Sequence, residues 1–205
     1  MRCSLSVVPM LLATAVASAA LMLSAPTSYA IPLTFVGNLS GANEVAPVPS
    51  PGTGLATVVL DPTAQTIQIN VTFSGLTSND MAAHIHCCGP LGTNVGVATA
   101  VPAFPGFPLG VTSGTYHSAV FDLTQSTIYN PAFVSLQGGL PQAEAALIAG
   151  IETGATYLNI HTVNFPGGEI RSQLSRVPAP GSLILLASAL LGLGLIRRCN
   201  PTARS

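Results

Sequence analysis

The chain has 205 residues, of which only 6% are charged, and its mean hydropathy is +0.57. This length favours one domain with short appendages. All seven acidic residues but only two of the six basic residues lie within residues 31–176, so this segment has a formal charge of −5. An acidic surface without lysine repels phosphate backbones, and we therefore expect no nucleic-acid binding.

The N-terminal 30 residues have the layout of a secretory signal. Arg2 precedes an apolar stretch over residues 7–23, and the small residues Ser28 and Ala30 flank Tyr29 in a pattern typical of a cleavage site. An uncleaved membrane anchor is the alternative, but Pro26 and the small residues favour cleavage. The sequence therefore predicts a signal peptide over residues 1–30.

A second apolar segment, residues 181–196, contains no charge and is followed by Arg197, Arg198 and Arg204. As a helix it would be about 24 Å long, so residues 177–180 would have to help it cross a hydrocarbon core of about 30 Å. The arginines predict that the C-terminus stays cytoplasmic and that the domain lies outside. A buried core helix, the alternative, should have a more polar face.

Residues 177–205 carry Val177, Pro178 and Pro180, then the apolar segment and the arginines. This arrangement resembles the PEP-CTERM sorting signal of Gram-negative bacteria that make exopolysaccharide, although Ala179 stands where that motif usually has glutamate. The resemblance implies processing by exosortase, a transpeptidase-like membrane enzyme. We therefore expect an exported protein of the cell envelope or extracellular space, with its C-terminal helix in the inner membrane before processing.

Between these ends the pattern is mainly that of β-strands. Residues 66–75 alternate apolar and polar side chains, and Pro62 lies in the turn that joins them to a strand over residues 55–60. One helix is predicted over residues 141–153 and a proline-rich loop over residues 102–109. The remaining predicted strands are 33–40, 82–86, 95–100, 113–123, 156–162 and 169–174. This series predicts a mainly β fold, a sandwich or Greek-key barrel, with one short helix.

Histidines provide the main candidate site. His84 and His86 are two residues apart on a predicted strand, so both imidazoles project from the same face. If the strand with His161 lies close, three imidazoles could converge, which suits zinc or copper. The alternative is that these histidines are hydrogen-bonded polar residues that bind nothing.

Two adjacent cysteines, Cys87 and Cys88, directly follow His86. Their thiols would add soft ligands that favour copper or zinc. Adjacent cysteines cannot close a loop that stabilises a fold, but an oxidising compartment would permit a disulfide between them. We hypothesise that they tune the metal site or act as a redox pair.

Several polar residues could support the site. Glu169 and Arg171 alternate onto one strand face and could form a local ion pair near His161, and Asn159 lies on the face of His161. Glu169 has two interpretations: a structural role in the last strand, or a hydrogen bond to a histidine Nδ1. Glu44 suits a turn and could pair with Arg171.

Residues 39–49, 54–61, 75–86, 157–162 and 166–174 together resemble the CHRD domain, which is named from repeats in the developmental protein chordin and occurs widely in secreted bacterial proteins. The resemblance covers nearly all of residues 33–174, and Ser172 stands where the family usually has glycine. It implies an immunoglobulin-like or superoxide-dismutase-like Greek-key β-sandwich over residues 31–176. It implies no particular reaction.

Two functions follow from these observations. The first is a non-enzymatic binding or structural module, held at the envelope or in matrix polysaccharide, that binds extracellular polysaccharide, a surface protein or a transition metal at His84, His86 and His161. The second is a copper/zinc-dependent redox enzyme, because His-x-His on a sandwich strand is similar to part of the dismutase copper site. That site needs more histidine ligands than the four in this chain, and His117 matches no part of it. A hydrolase has no support, because no serine lies in a Gly-x-Ser-x-Gly motif.

Overall fold

A computed structural model describes residues 31–178. The predicted signal peptide, residues 1–30, lies outside the described residues, as does all of the predicted sorting tail except Val177 and Pro178. Within residues 31–178, no helix has both the length and the apolar character that a membrane crossing requires.

The described residues form a curled β-sheet with two short α-helices. The strands are β1 (Leu33–Ser40), β2 (Thr53–Asp61), β3 (Thr66–Ser74), β4 (Asp80–Cys87), β5 (Gly114–His117), β6 (Phe121–Asp122), β7 (Thr156–Thr162), β8 (Ile170–Gln173) and β9 (Ser175–Arg176). The helices are α1 (Pro131–Gln137) and α2 (Leu140–Glu152), and single 3-10 turns lie at Gly41–Asn43 and Ser126–Ile128. The mainly β prediction is therefore confirmed.

The strand order is β4-β7-β8-β1-β2-β3-β5, with β6 beside β3 and β9 beside β1. Every named strand pair is antiparallel. Strands β1 and β8 share only the pair Ser40 and Arg171. After β8 the chain continues into β9, which pairs with β1 and places Ser175 opposite Val36. The sheet therefore has two halves, one with β4, β7 and β8 and one built on β1, β2 and β3. Between β8 and β1 they share a single pair of residues.

The hydrophobic core accounts for the alternation of apolar and polar residues along the strands. On β3, Ile67, Ile69 and Val71 are each at most 2% exposed, whereas the residues between them are partly exposed. Their buried side chains belong to one hydrophobic core together with apolar residues of the other half, including Ile85 and Leu158. Each fully buried side chain of this size contributes about 1.5–3 kcal/mol to folding.

One predicted strand, residues 95–100, is replaced by irregular chain with isolated bridges at Val97 and Thr99. The physical reason lies at Ile85 of β4. The Thr99 hydroxyl accepts the hydrogen bond that the Ile85 amide donates, and the Ala98 and Thr99 amides both donate to the single Ile85 carbonyl. Such side-chain bonding to the backbone interrupts a regular ladder.

The predicted strand 113–123 is also interrupted and becomes β5 and β6. Ser118 lies between them, and its hydroxyl accepts a hydrogen bond from the Ile69 amide. The loop over residues 102–109 and the strands 33–40 and 156–162 agree with the prediction.

The prediction of one helix was wrong, because there are two. Helix α2 matches the predicted helix to within one residue. Helix α1 begins at the Asn130 N-cap, whose side chain accepts from the Ala132 amide, has Pro131 in its first turn and ends at Gly138 with φ 90°. These capping residues indicate a helix in the sequence. Only seven residues separate the two caps, however, which is too few to show the apolar stripe from which a helix is predicted.

Candidate metal centre

The pairing of β4 with β7 places the predicted site residues on one face. His84 lies opposite Asn159, His86 lies opposite Tyr157, and Ala82 lies opposite His161. Because side chains alternate along a strand, His84, His86 and His161 project together from this face. Their neighbours Ile85 and Ile160 project into the core on the other side.

The three imidazoles are buried and close together. His84, His86 and His161 are 5%, 7% and 8% exposed. The His84 ring centroid lies 5.6 Å from that of His86 and 4.9 Å from that of His161. One ring nitrogen from each residue lies within 4.8 Å of the other two. The predicted convergence of the three imidazoles is present.

Backbone carbonyls orient the rings. His86 Nδ1 lies 2.8 Å from the carbonyl oxygen of Val95, and His161 Nδ1 lies 3.0 Å from that of Pro166. A carbonyl only accepts, so each Nδ1 carries the proton and donates it. The Nε2 atoms of both rings are buried without a partner and keep their lone pairs, the arrangement typical of a metal-binding histidine.

Burial also determines the charge of the rings. Desolvation is the largest cause that lowers the pKa of His84 to about 3 and that of His86 to about 4, and His161 lowers both further. Desolvation likewise lowers the pKa of His161. All three imidazoles are therefore neutral at neutral pH, the protonation state that a metal ligand needs.

Tyr157 and Arg171 support one side of the cluster. The Tyr157 ring stacks on His86 at a centroid distance of 4.5 Å and an interplanar angle of 9°. The guanidinium carbon of Arg171 lies 3.8 Å from the centre of the same ring. Strand β7 lies between β4 and β8, so Tyr157 lies between the other two side chains. Arg171 also donates to Asn94 and Thr93, which fixes the guanidinium.

Glu44 is a buried carboxyl for which the sequence predicted a turn position and a pairing with Arg171, whereas the Arg171 side chain donates to Asn94 and Thr93. It is 7% exposed, and its Oε2 lies 3.5 Å from Asn159 Nδ2. Desolvation raises the pKa of Glu44 to about 7, against the lowering effects of the Arg171 charge and Asn159. A Cβ atom at Gly168 would lie 2.8 Å from Glu44 Oε1 and 2.8 Å from Asn159 Oδ1, so glycine there allows the close packing. No local sequence signal could have brought Glu44 to Asn159, because 115 residues separate them.

Glu169 has the structural role rather than the hydrogen bond to a histidine. Its carboxylate accepts hydrogen bonds from the hydroxyls of Ser50, Thr77 and Thr162 and from the Thr77 amide. Desolvation by burial raises the pKa of Glu169, but these hydrogen bonds together lower it further and hold it below its usual value. The predicted ion pair with Arg171 is not formed, because Arg171 donates to Asn94 and Thr93 instead.

The cysteines lie away from the imidazoles, which corrects their assignment as ligands. Cys87 is one residue beyond His86, so its side chain projects from the opposite face of β4. A disulfide joins Cys87 to Cys88. A Cβ atom at Gly150 of α2 would lie 2.5 Å from the Cys87 sulfur, so the disulfide packs against that helix.

Comparisons with known proteins identify the family. The model of the CHRD domain matches residues 35–174, which include every residue of the histidine cluster. Neither the curated proteins nor the solved structures contain a match. Because the matched region covers more than half of the chain, this protein belongs to the CHRD domain family.

Proposed function

We propose that this chain is an exported, non-enzymatic CHRD module that binds one copper or zinc ion through His84, His86 and His161. The observation that carries this proposal is the convergence of three buried, neutral imidazoles whose ring nitrogens lie within 4.8 Å of one another. Buried polar atoms without partners are rare in native proteins, and each of the three rings has one. A bound ion would satisfy all three.

The donor set fits these metals. Zinc–nitrogen bonds are about 2.0–2.1 Å long, so two ligands of a tetrahedral ion lie about 3.3 Å apart. The nitrogens must therefore approach by at most about 1.5 Å, which rotations of the three imidazole side chains on neighbouring strands can supply. Imidazole binds copper and zinc well, and a site without carboxylate ligands disfavours magnesium and calcium.

A metal titration tests the proposal. The purified chain is titrated with zinc, copper(II) and copper(I) in a calorimeter, alongside a His84→Ala/His161→Ala variant and a His117→Ala control. His117 is exposed and bonds to Asn70, outside the cluster. We expect one ion per chain, abolished in the double variant and unchanged in the control. Equal binding by the double variant would refute the assignment.

A copper- or zinc-dependent redox enzyme is the second function, and the open coordination position of a three-histidine site favours it. The two functions differ in turnover. The binding module predicts no catalysed loss of superoxide by the copper-loaded chain, whereas the enzyme predicts a rate that disappears with His84→Ala/His161→Ala.

Export is part of the proposal and rests on the sequence. The signal-like residues 1–30 and the arginines that follow residues 181–196 support passage to the envelope or the extracellular space. We propose that an exosortase-type enzyme processes the tail in the inner membrane. Mass spectrometry of the mature chain tests both cleavages, and an intact N-terminus at Met1 would contradict export by a cleaved signal.

A cleft whose lining includes several polar side chains supports a polysaccharide or a surface protein as partner. It has a volume of about 470 Å³ and lies where the two halves of the sheet separate. Its lining is rich in amides and hydroxyls, groups that both donate and accept hydrogen bonds as sugars do: Asn38, Asn43, Ser172, Gln173 and Ser175.

We also propose that the curled sheet is a form of the immunoglobulin-like or superoxide-dismutase-like Greek-key sandwich. The narrow junction at Ser40 and Arg171 and the passage of the chain from β8 to β9 support two facing layers. An experimental structure tests this, and a single closed barrel would contradict it.

A further inference from the structure

Unpartnered buried polar atoms are concentrated on the face of the histidine cluster. Among residues 31–178 there are seven such side-chain atoms, and five belong to this face: His84 Nδ1, His86 Nε2, His161 Nε2, Asn159 Oδ1 and Glu44 Oε1. Each unpartnered atom costs free energy in the folded protein. A concentration of this kind indicates a site that is completed by something other than the protein's own side chains.

All five atoms can act as hydrogen-bond acceptors. The Nδ1–H groups of His86 and His161 are directed at carbonyls, so their Nε2 atoms have lone pairs. His84 Nδ1 is also buried without a partner, and it accepts when the proton of that ring lies on Nε2. The other two atoms are amide and carboxyl oxygens. A metal ion satisfies the three nitrogens, but the two oxygens require donors.

The two oxygens lie beside the cluster. Asn159 is the cross-strand partner of His84, and on β7 it lies between Tyr157 and His161 on the same face. Glu44 reaches Asn159 from the turn after β1. The turn at Gly168 covers both oxygens, and the preceding Pro166 carbonyl orients His161. One turn thus links the imidazoles to the oxygens.

Resting on the metal binding proposed above, we infer that the bound ion retains an exchangeable protic ligand, water or a small hydroxyl compound, whose hydrogens are accepted by Glu44 and Asn159. Three protein ligands leave a fourth position open, and a ligand there can bond both to the ion and to the acceptors. Glu44 is then a positioning residue for the ligand on the metal rather than a metal ligand itself.

Two measurements on the copper(II)-loaded chain test this inference. Water-proton relaxation reports whether an exchangeable water lies on the ion, and azide, an anion without hydrogens, is titrated to displace it by following the azide-to-copper absorption. The variant is Glu44→Gln. The control is Glu144→Gln, which makes the same change at a carboxyl that is 9% exposed and bonds to Gln65.

We expect the wild type to enhance water relaxation and azide to abolish the enhancement. Glu44→Gln should keep one copper per chain but bind azide about 3- to 10-fold more tightly. The Glu44 carboxylate, which accepts hydrogens from water on the ion and repels an anion there, is lost in this variant. The control should match the wild type.

Because no hydroxyl compound is added, water is the protic ligand in this experiment, and copper binding without any relaxation enhancement would overturn this inference and leave the proposed function intact. Equal azide affinity in Glu44→Gln and the wild type would also overturn it, and would indicate that a protonated Glu44 simply bonds to Asn159. A wild type that binds no copper would overturn both proposals, and the titration of copper alone reveals that case.

Discussion

His86 Nδ1 lies 2.8 Å from the carbonyl oxygen of Val95, and the amide and carbonyl of the same Val95 also contact the Tyr157 hydroxyl. The hydroxyl therefore holds the carbonyl that orients His86. This relationship makes an irregular segment, rather than a strand, responsible for directing a candidate metal ligand.

Replacing Tyr157 with phenylalanine should weaken metal binding without abolishing it. The lost hydroxyl frees Val95, and the less restrained His86 should raise the Kd for zinc about 3- to 10-fold, since outer hydrogen bonds typically affect metal affinity by 10-fold or more. The matched control is Tyr116→Phe, which removes a hydroxyl bonded to Pro105 away from the cluster. Calorimetry on both variants decides, and an equal change in both would contradict the link.

The metal-free domain should be less stable at pH 5.5 than at pH 7.5. The pKa values of His84 and His86, about 3 and 4, and the lowered pKa of His161 lie below the unfolded value of 6.5. The unfolded chain therefore binds more protons below pH 6.5, and the stability that these residues contribute is lost as the pH falls from 6.5 towards their folded values.

Glu44 has the opposite effect on the pH dependence of stability. Its pKa of about 7 is raised above the usual value, so as the pH falls the folded state binds this proton before the unfolded state does. Its contribution is present below pH 4.5 and is lost as the pH rises through 7. The combined effect of three imidazoles on stability exceeds that of one carboxyl. We therefore expect the free energy of unfolding to fall by about 2 kcal/mol between pH 7.5 and pH 5.5. Urea denaturation at the two pH values measures it, and an unchanged or higher stability at pH 5.5 would contradict the burial of neutral histidines.

Glu169→Gln should destabilise the domain by about 2–4 kcal/mol. The carboxylate accepts four hydrogen bonds from Ser50, Thr77 and Thr162. In glutamine an NH₂ group replaces one of the accepting oxygens, so hydrogen-bond donors would lie against another donor. Denaturant unfolding measures the loss. Metal stoichiometry should stay at one ion per chain, and a loss of metal binding in a variant that is still folded would show that Glu169 belongs to the site.

The disulfide should be dispensable for metal binding. A Cys87→Ala/Cys88→Ser variant should bind zinc within about 3-fold of the wild type, because the cysteine sulfurs lie on the face away from the imidazoles. The same titration on Gly150→Ala serves as a packing control, since its added Cβ would press on both sulfurs. A zinc affinity that falls more than 10-fold in the cysteine variant would restore these residues as ligands.

Periodicity predicted the parts of the fold that depend on local patterns. The alternation in β3, the hairpin after Asp61 and the shared face of His84 and His86 follow from a period of two. The proximity of His161 required the additional assumption that its strand pairs with β4. That assumption proved correct.

Long-range packing accounts for what the sequence did not predict. Glu44 meets Asn159 through the junction of β1 with β8, and no local pattern encodes that contact. The hydroxyls of Thr99 and Ser118 interrupt two predicted strands only because Ile85 and Ile69 lie within reach. The sequence alone also gave Glu169 two roles, and only the positions of its partners distinguish them.

Anomalous X-ray diffraction from crystals of the zinc-loaded chain tests the central claim most directly. At the zinc edge, the account predicts one strong anomalous peak within about 2.0–2.1 Å of a ring nitrogen of each of His84, His86 and His161. A peak bound by other residues, or crystals of the zinc-saturated chain with no peak at the three histidines, would contradict it.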